Sequence, residues 1–173
     1  MAKSASADLV AGVRRLLRAV DGEFIPPLSS RADSLSLATG SGAGTVEPYL
    51  TAIRDEQWLL VRRGGVVIGL LSYLVDHRDG ALSPWAPLVY VTTVAVDAEH
   101  RRAGHAQSMY EHLARRVRGS GGTRLATRTW SSNRSHLTLL RRLGFNEVRR
   151  LVDDRSAGQD TIYLVLPTTR SFA

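Results

Sequence analysis

"VAVDAEHRRAGHA", residues 94–106, runs from an apolar strand through a charged turn into two arginines, a glycine and the opening of a helix. Upstream, "LVYVTTVAV" (88–96) is β-branched and mostly apolar on both sides, as a central buried strand should be. Downstream, Ala106, Met109, Leu113 and Val117 recur at helical spacing, which predicts a helix over about Gly104–Arg118. "GSGG" stops that helix and "TRLATRTW" reads as the next strand. Strand, helix and strand over 88–130 imply a parallel pair joined by a right-handed crossover.

The flanks set the neighbours of that unit. "QWLLVRRGGVVIGLLSYLVD" (57–76) is two apolar strands around Gly64-Gly65, a hairpin signal. Beyond 130, a helix is expected from Asn133 to Leu143, ended by Gly144. "NEVRRLV" and "DTIYLVL" then give two closing strands around a polar loop. At the N-terminus, Leu9, Val10, Val13, Leu16, Leu17 and Val20 predict an amphipathic helix over Ser6–Val20. A long Ser/Gly/Pro-rich connector (21–44) leads to a shorter helix at Val46–Arg54, with Thr45 as its N-cap. The fold class that follows is α/β of the α+β type: a mixed, mostly antiparallel central sheet with helices on both faces.

At 173 residues the chain suits a single domain, 1–173. Its longest apolar run, "VVIGLLSYLV", is far shorter than the roughly 20 residues a membrane span needs. With no cysteine, disulfides and thiolate metal sites are excluded, and the five histidines form no H-E-x-x-H, so no metal is expected. The Arg-rich N-terminal stretch reads as the first helix of the domain rather than a transit peptide, and the expected compartment is the cytoplasm. The net charge of +7 is concentrated: residues 101–150 hold twelve arginines against two carboxylates, Glu111 and Glu147. A basic half points to an anionic partner, or to arginines that simply solvate helix faces.

The start of the helix after "RRAG" suits phosphate on physical grounds. Unpaired main-chain N–H groups and the positive end of the helix dipole attract an anion there, and Gly104 lets the backbone approach it. Arg101 and Arg102 add full charges. On its own, R-x-x-G-x-A describes equally a basic loop before a helix-starting glycine.

"VAVDAEHRRAGHAQSMYEHL" resembles the signature segment of the GNAT superfamily of N-acetyltransferases, a V-x-V strand followed by Q/R-x-x-G-x-G/A at a helix start. "NRSHLTLLRRLGF" (133–145) resembles that family's N-x-x-A-x-x-L-Y-x-x-x-G-F, with Asn133, Leu139, Gly144 and Phe145 in register. The resemblance covers about residues 58–166 and implies a sheet splayed between the parallel strands, with acetyl-CoA as co-substrate and no metal. It makes 58–166 the cofactor-binding core and 1–57 the N-terminal helices and substrate loop. It implies that Val94, Ala95 and Val96 bind the pantetheine arm through main-chain groups. Arg101, Arg102, Ala103, Gly104, His105 and Ala106 would cradle the pyrophosphate, and Asn133 would reach the pantetheine arm. The usual first strand has no counterpart before the N-terminal helix.

The implied reaction moves an acetyl group directly from acetyl-CoA to a primary amine of a small molecule or peptide. A backbone N–H near Val94 is the expected oxyanion donor. The position where relatives often carry an acidic tyrosine is Leu140 here, and His136 stands at a small-residue position. Tyr90 and Thr92 lie on the same strand face as Val94 and are the candidate catalytic residues, as positioners of water or as ordinary β-formers. Substrate contacts are expected from Phe24 and Arg31 in the first connector, and from Asp76 and Trp85 in "DHRDGALSPW", which also offers His77 and Asp79. Carboxylates there would favour a cationic amine, and Arg31 a substrate carboxylate.

Two other classes stand beside this one. A catalytically silent acyl-CoA sensor would account for Leu140. A nucleic-acid module would account for the arginines, but aromatics for base stacking are sparse near them, with Tyr110 and Trp130 the only candidates between residue 101 and Phe145. The expected partners are the amine substrate and no membrane, with a homodimer left open. "LATGSGAG" lacks both dinucleotide spacing and a Walker lysine.

Overall fold

The N-terminal periodicity winds into α1 (Ala7–Val20), which buries Val10, Val13, Leu16, Leu17 and Val20 along one stripe. The computed structural model describes residues 6–35, 44–118 and 124–167, and the elements given are those of the described residues. After α1 come α2 (Glu47–Ala52), β1 (Gln57–Arg63), β2 (Val66–His77), β3 (Leu88–Val96), α3 (His105–Arg118), β4 (Arg124–Trp130), α4 (Arg134–Arg142), β5 (Asn146–Ser156) and β6 (Gln159–Leu166). The sheet has six strands in the order β1-β2-β3-β4-β6-β5. β3 and β4 are parallel, from Leu88 opposite Arg124 to Val91 opposite Thr127. β6 runs antiparallel to both β4 and β5. The fold is thus mixed α/β with an open six-stranded mixed sheet and one parallel pair among the described residues, as the strand–helix–strand pattern required.

The chain forms two compact units, Met1–Ser72 with Thr93–Ala106, and Tyr73–Thr92 with Gln107–Ala173. In the first, the α1 stripe packs with Leu28, Tyr49, Leu50, Ile53, Val67 and Ala95 into one apolar cluster. A methyl added at Gly12 would sit 2.7 Å from Val67 Cγ2, so α1 approaches β2 too closely for any side chain there. Arg14 and Arg18 both reach the Glu47 carboxylate at 2.9 Å and tie α1 to the start of α2. The second helix is shorter than its periodicity suggested. It starts after Val46 with no side-chain cap, so Thr45 does not cap it, and its last turn, Ile53–Asp55, tightens to 3₁₀ geometry. The connector also carries structure, with 3₁₀ turns at Asp21–Glu23 and Leu28–Ser30.

Helix α3 buries Met109, Tyr110, Leu113, Ala114 and Val117, all in the second unit, while Ala106, expected inside, is half-exposed. α4 ends as the sequence predicted. Gly144 is left-handed at φ 89°, and its N–H and that of Phe145 donate to Arg141 and Leu140. Phe145 packs edge-on against Tyr110, with ring centroids 5.6 Å apart. The turn-rich stretch before β3 is a 3₁₀ segment, Gly80–Trp85, capped by Asp79, and it lays Leu82 on a cluster with Leu88, Tyr90, Ala126, Tyr163 and Val165.

Candidate functional site

The corner between β3 and α3 is built from main-chain geometry. Ala95 is buried in the core of the first unit while Val94 and Val96 are half-buried, so the strand end keeps one face in the core. Asp97 then organises the turn. Its amide donates to Ile68 O at 2.9 Å, and its carboxylate accepts the Glu99 amide and the His100 ring, each at 3.2 Å. The His100 hydrogen bond, with lesser help from the Glu99 amide and the nearby charges of His100 and Arg15, holds the Asp97 carboxyl below the ordinary carboxylate range. Arg101 donates from Nε to Val96 O at 3.0 Å and pairs with Glu23 at 2.8 Å.

Arg102 and Gly104 both adopt left-handed backbone, with φ of 61° and 80°. The arginine is held there at a cost of about 1–2 kcal/mol. Nothing lies within 4 Å of where a Cβ on Gly104 would stand. The glycine answers to backbone conformation and not to internal packing. Residues 101–104 are exposed, His105 and Ala106 half-buried, and α3 begins at His105. Two left-handed residues within three positions, directly before a 14-residue helix, make a backbone turn of the kind that can present main-chain N–H groups to an anion.

The model of the Acetyltransferase (GNAT) family matches residues 33–145. This chain belongs to the GNAT acetyltransferase family. Its fold is similar to that of a GNAT-family protein from Desulfovibrio desulfuricans (TM-score 0.68, 16% identity, 95% of each chain). It is also similar to the Escherichia coli ribosomal-protein-S18-alanine N-acetyltransferase (TM-score 0.63, 17% identity, 98% of this chain and 94% of that one). A third is the protein yncA of Salmonella typhimurium, solved with its cofactor acetyl-CoA (TM-score 0.66, 17% identity, 99% of this chain and 95% of that one). No curated protein matches the chain significantly.

The remaining predicted residues of this GNAT chain fall in varied settings. Asn133 belongs to the second unit and caps α4, its Oδ1 accepting the His136 amide at 3.3 Å. Tyr90 is buried, and burial pushes its phenol far above the ordinary value, which makes it a poor proton acceptor. Thr92 is half-buried. Arg31 is 4% exposed and donates twice to Pro26 O, at 3.0 and 2.7 Å, with its guanidinium 5.6 Å from the Phe24 ring centroid. Phe24 itself leans on the apolar cluster of the first unit. Asp76 is exposed in left-handed backbone near the end of β2, and Trp85 packs half-buried on the cluster around Tyr90. Leu140 is fully buried.

Sequence reasoning missed several functional-looking groups. Glu23 was not recognised as a partner of Arg101, since 78 residues separate them. His136, at the small-residue position of the family pattern, makes polar contacts with two elements. Its Nε2 lies 2.9 Å from the Tyr110 hydroxyl and its Nδ1 3.3 Å from Thr129 Oγ1. Burial lowers its pKa to about 4, so it is neutral at pH 7. Its spacing of 26 residues from Tyr110 gave no signal. No described group of three His, Asp or Glu could hold a metal ion, and no described helix is long and apolar enough to cross a membrane.

Proposed function

We propose that this protein transfers an acetyl group from acetyl-CoA to a primary amine of a small molecule or peptide. The observation that carries the reading is the left-handed pair Arg102 and Gly104 in front of α3, with open space over Gly104. An anionic carrier fits there, since the exposed turn 101–104 offers main-chain donors and the Arg102 side chain, with Arg101 held beside it by Glu23, and no Cβ intervenes. Main-chain groups of Val94, Ala95 and Val96 and the Asn133 side chain would hold the pantetheine arm, as the family resemblance implies. When bound, acetyl-CoA supplies an activated acyl group on a thioester.

The chain's own contribution is then positioning and charge. A backbone N–H near Val94 would meet the negative charge that develops on the acyl oxygen, an effect worth about 3 kcal/mol. Leu140 holds no proton, so the departing sulfur relies on its own acidity, with a thiol pKa of about 8.5. Thr92, on the strand face of Val94, would position water that takes the amine proton. The buried apolar Leu140 also favours a second reading, a silent acyl-CoA sensor.

Titration calorimetry with acetyl-CoA and release of free thiol with a panel of amines test both. Binding with turnover supports the enzyme, binding without turnover on any amine supports the sensor, and no binding overturns both.

A further inference from the structure

The second unit contains a set of polar side chains that the acetyl-transfer reading leaves unused. Tyr90 is 1% exposed, and its hydroxyl is buried with no hydrogen-bond partner. The His77 ring lies against it, with centroids 4.8 Å apart, and His77 Nε2 is likewise buried and unpartnered. Tyr90 pairs across the sheet with Ala126, and two residues further along β4, on the same face, stands Arg128 opposite Tyr163. Arg128 is hydrogen-bonded to Tyr163, and its charge acts on both Tyr90 and His77. Arg155, stacked 5.4 Å from the Trp130 ring, adds a second guanidinium whose charge also acts on Tyr90. The opposing charge is Asp79, whose Oδ2 is 4.0 Å from His77 Nε2 and whose Oδ1 accepts the Ala81 amide at 2.7 Å.

A buried hydroxyl and ring nitrogen without partners are unfavourable in a finished fold, and both point to something that completes them. Burial lowers the His77 pKa, against the pull of Asp79 and with Arg128, so the ring is neutral near pH 7. It then carries one N–H and adds no charge. The Arg128 guanidinium and the Tyr90 O–H donor thus stand on one strand face, beside a neutral imidazole. That inventory fits a monoanionic, planar acceptor better than a phosphate dianion. We propose that His77, Tyr90 and Arg128 form a carboxylate-binding site, and that the acceptor amine is of the amino-acid type, recognised through its free carboxylate. The inference rests on the acetyl-transfer reading and names its substrate class.

The test uses the full chain in titration calorimetry with glycine, L-alanine and ω-amino acids of two to six carbons, each beside its amide, and with acetyl-CoA separately. At least one free acid is expected to bind about tenfold tighter than its amide. Arg128→Gln and Tyr90→Phe should each shrink that acid-over-amide ratio about fivefold or more. Arg142→Gln, on an exposed turn of α4, should leave it unchanged. Tyr90→Phe keeps the ring and so reports even where loss of the guanidinium impairs folding. The proposal is overturned when no acid outbinds its amide, or when both substitutions leave the ratio as it was. Acetyl-CoA bound without acid preference removes this proposal alone. An acid preference without acetyl-CoA binding keeps the carboxylate site and removes the transferase.

Discussion

Helix α4 closes its own first turn, through the Asn133 oxygen that accepts the His136 amide, whereas α3 is entered through Arg102 and Gly104, both left-handed. Both helices are amphipathic, and each follows a strand by a short turn. The first is finished from within. The second holds an arginine in strained backbone and a glycine that no neighbour requires. Backbone strain that packing does not explain is the better pointer to an external ligand, and here it singles out α3.

The largest expected effect comes from spoiling the α3 entry. Gly104→Glu places a carboxylate and a strained Cβ where an anion is proposed, and acetyl-CoA affinity should fall about a hundredfold or more by calorimetry. Because the new Cβ meets open space, the thermal midpoint should drop by only a few degrees. An unchanged affinity would make the two helix starts equivalent and end the distinction.

The next effect belongs to the α4 side and is pH-dependent. His136 in the folded chain titrates near 4, below its ordinary 6.5. As pH falls through 6.5 the unfolded chain gains a proton that the folded chain refuses until near 4. Stability is therefore lost across that window, by about 2 kcal/mol after allowance for partial exposure. Urea unfolding at pH 7 and pH 4 should show a smaller difference in His136→Gln than in the parent. Equal differences would show that the histidine takes up its proton as readily in the folded chain as in the unfolded one.

Asn133 separates capping from ligand contact. Asn133→Ala should cost about 1 kcal/mol of stability, and Asn133→Asp, which keeps the capping oxygen, close to none. If Asn133→Asp still loses acetyl-CoA affinity, the side-chain amide serves the pantetheine arm as well as the helix. If neither variant alters affinity, Asn133 is a cap alone. The smallest effect is expected from Glu23→Gln. Its pairing with Arg101 is half-exposed and worth at most about 1 kcal/mol, so freeing the guanidinium should tighten acetyl-CoA two- to fivefold. A weakened affinity would mean that Glu23 orients Arg101 and does not compete for it.

Much of this was legible in the residues. The strand at Leu88–Val96, the crossover helix and the Gly144 stop were carried by periodicity and by glycine chemistry, which act locally. What stayed hidden depends on distant chain segments meeting. Arg31 looked like a surface cation for a substrate, yet it donates to Pro26 O and stacks by Phe24 after the connector doubles back. Tyr90 reads in the sequence as a candidate catalytic residue, because alternation fixes only which side of the strand it takes. Its burial follows from the 3₁₀ segment Gly80–Trp85, which lays Leu82 over that face. Thr45 had the right chemistry for a cap, but the helix began a residue later than that chemistry needs. The corner proposed for phosphate draws notice in the sequence because a glycine and two arginines stand together there. The cluster around His77 and Arg128 was not, because its members come from three strands.

The left-handed pair before α3 carries a mutational consequence. A grip made of peptide groups inspects torsion angles and ignores most side-chain identities. In the proposed corner, exchange of the Ala103 or His105 side chain would then carry little penalty, while position 104 would tolerate few replacements because its φ of 80° strains any side chain.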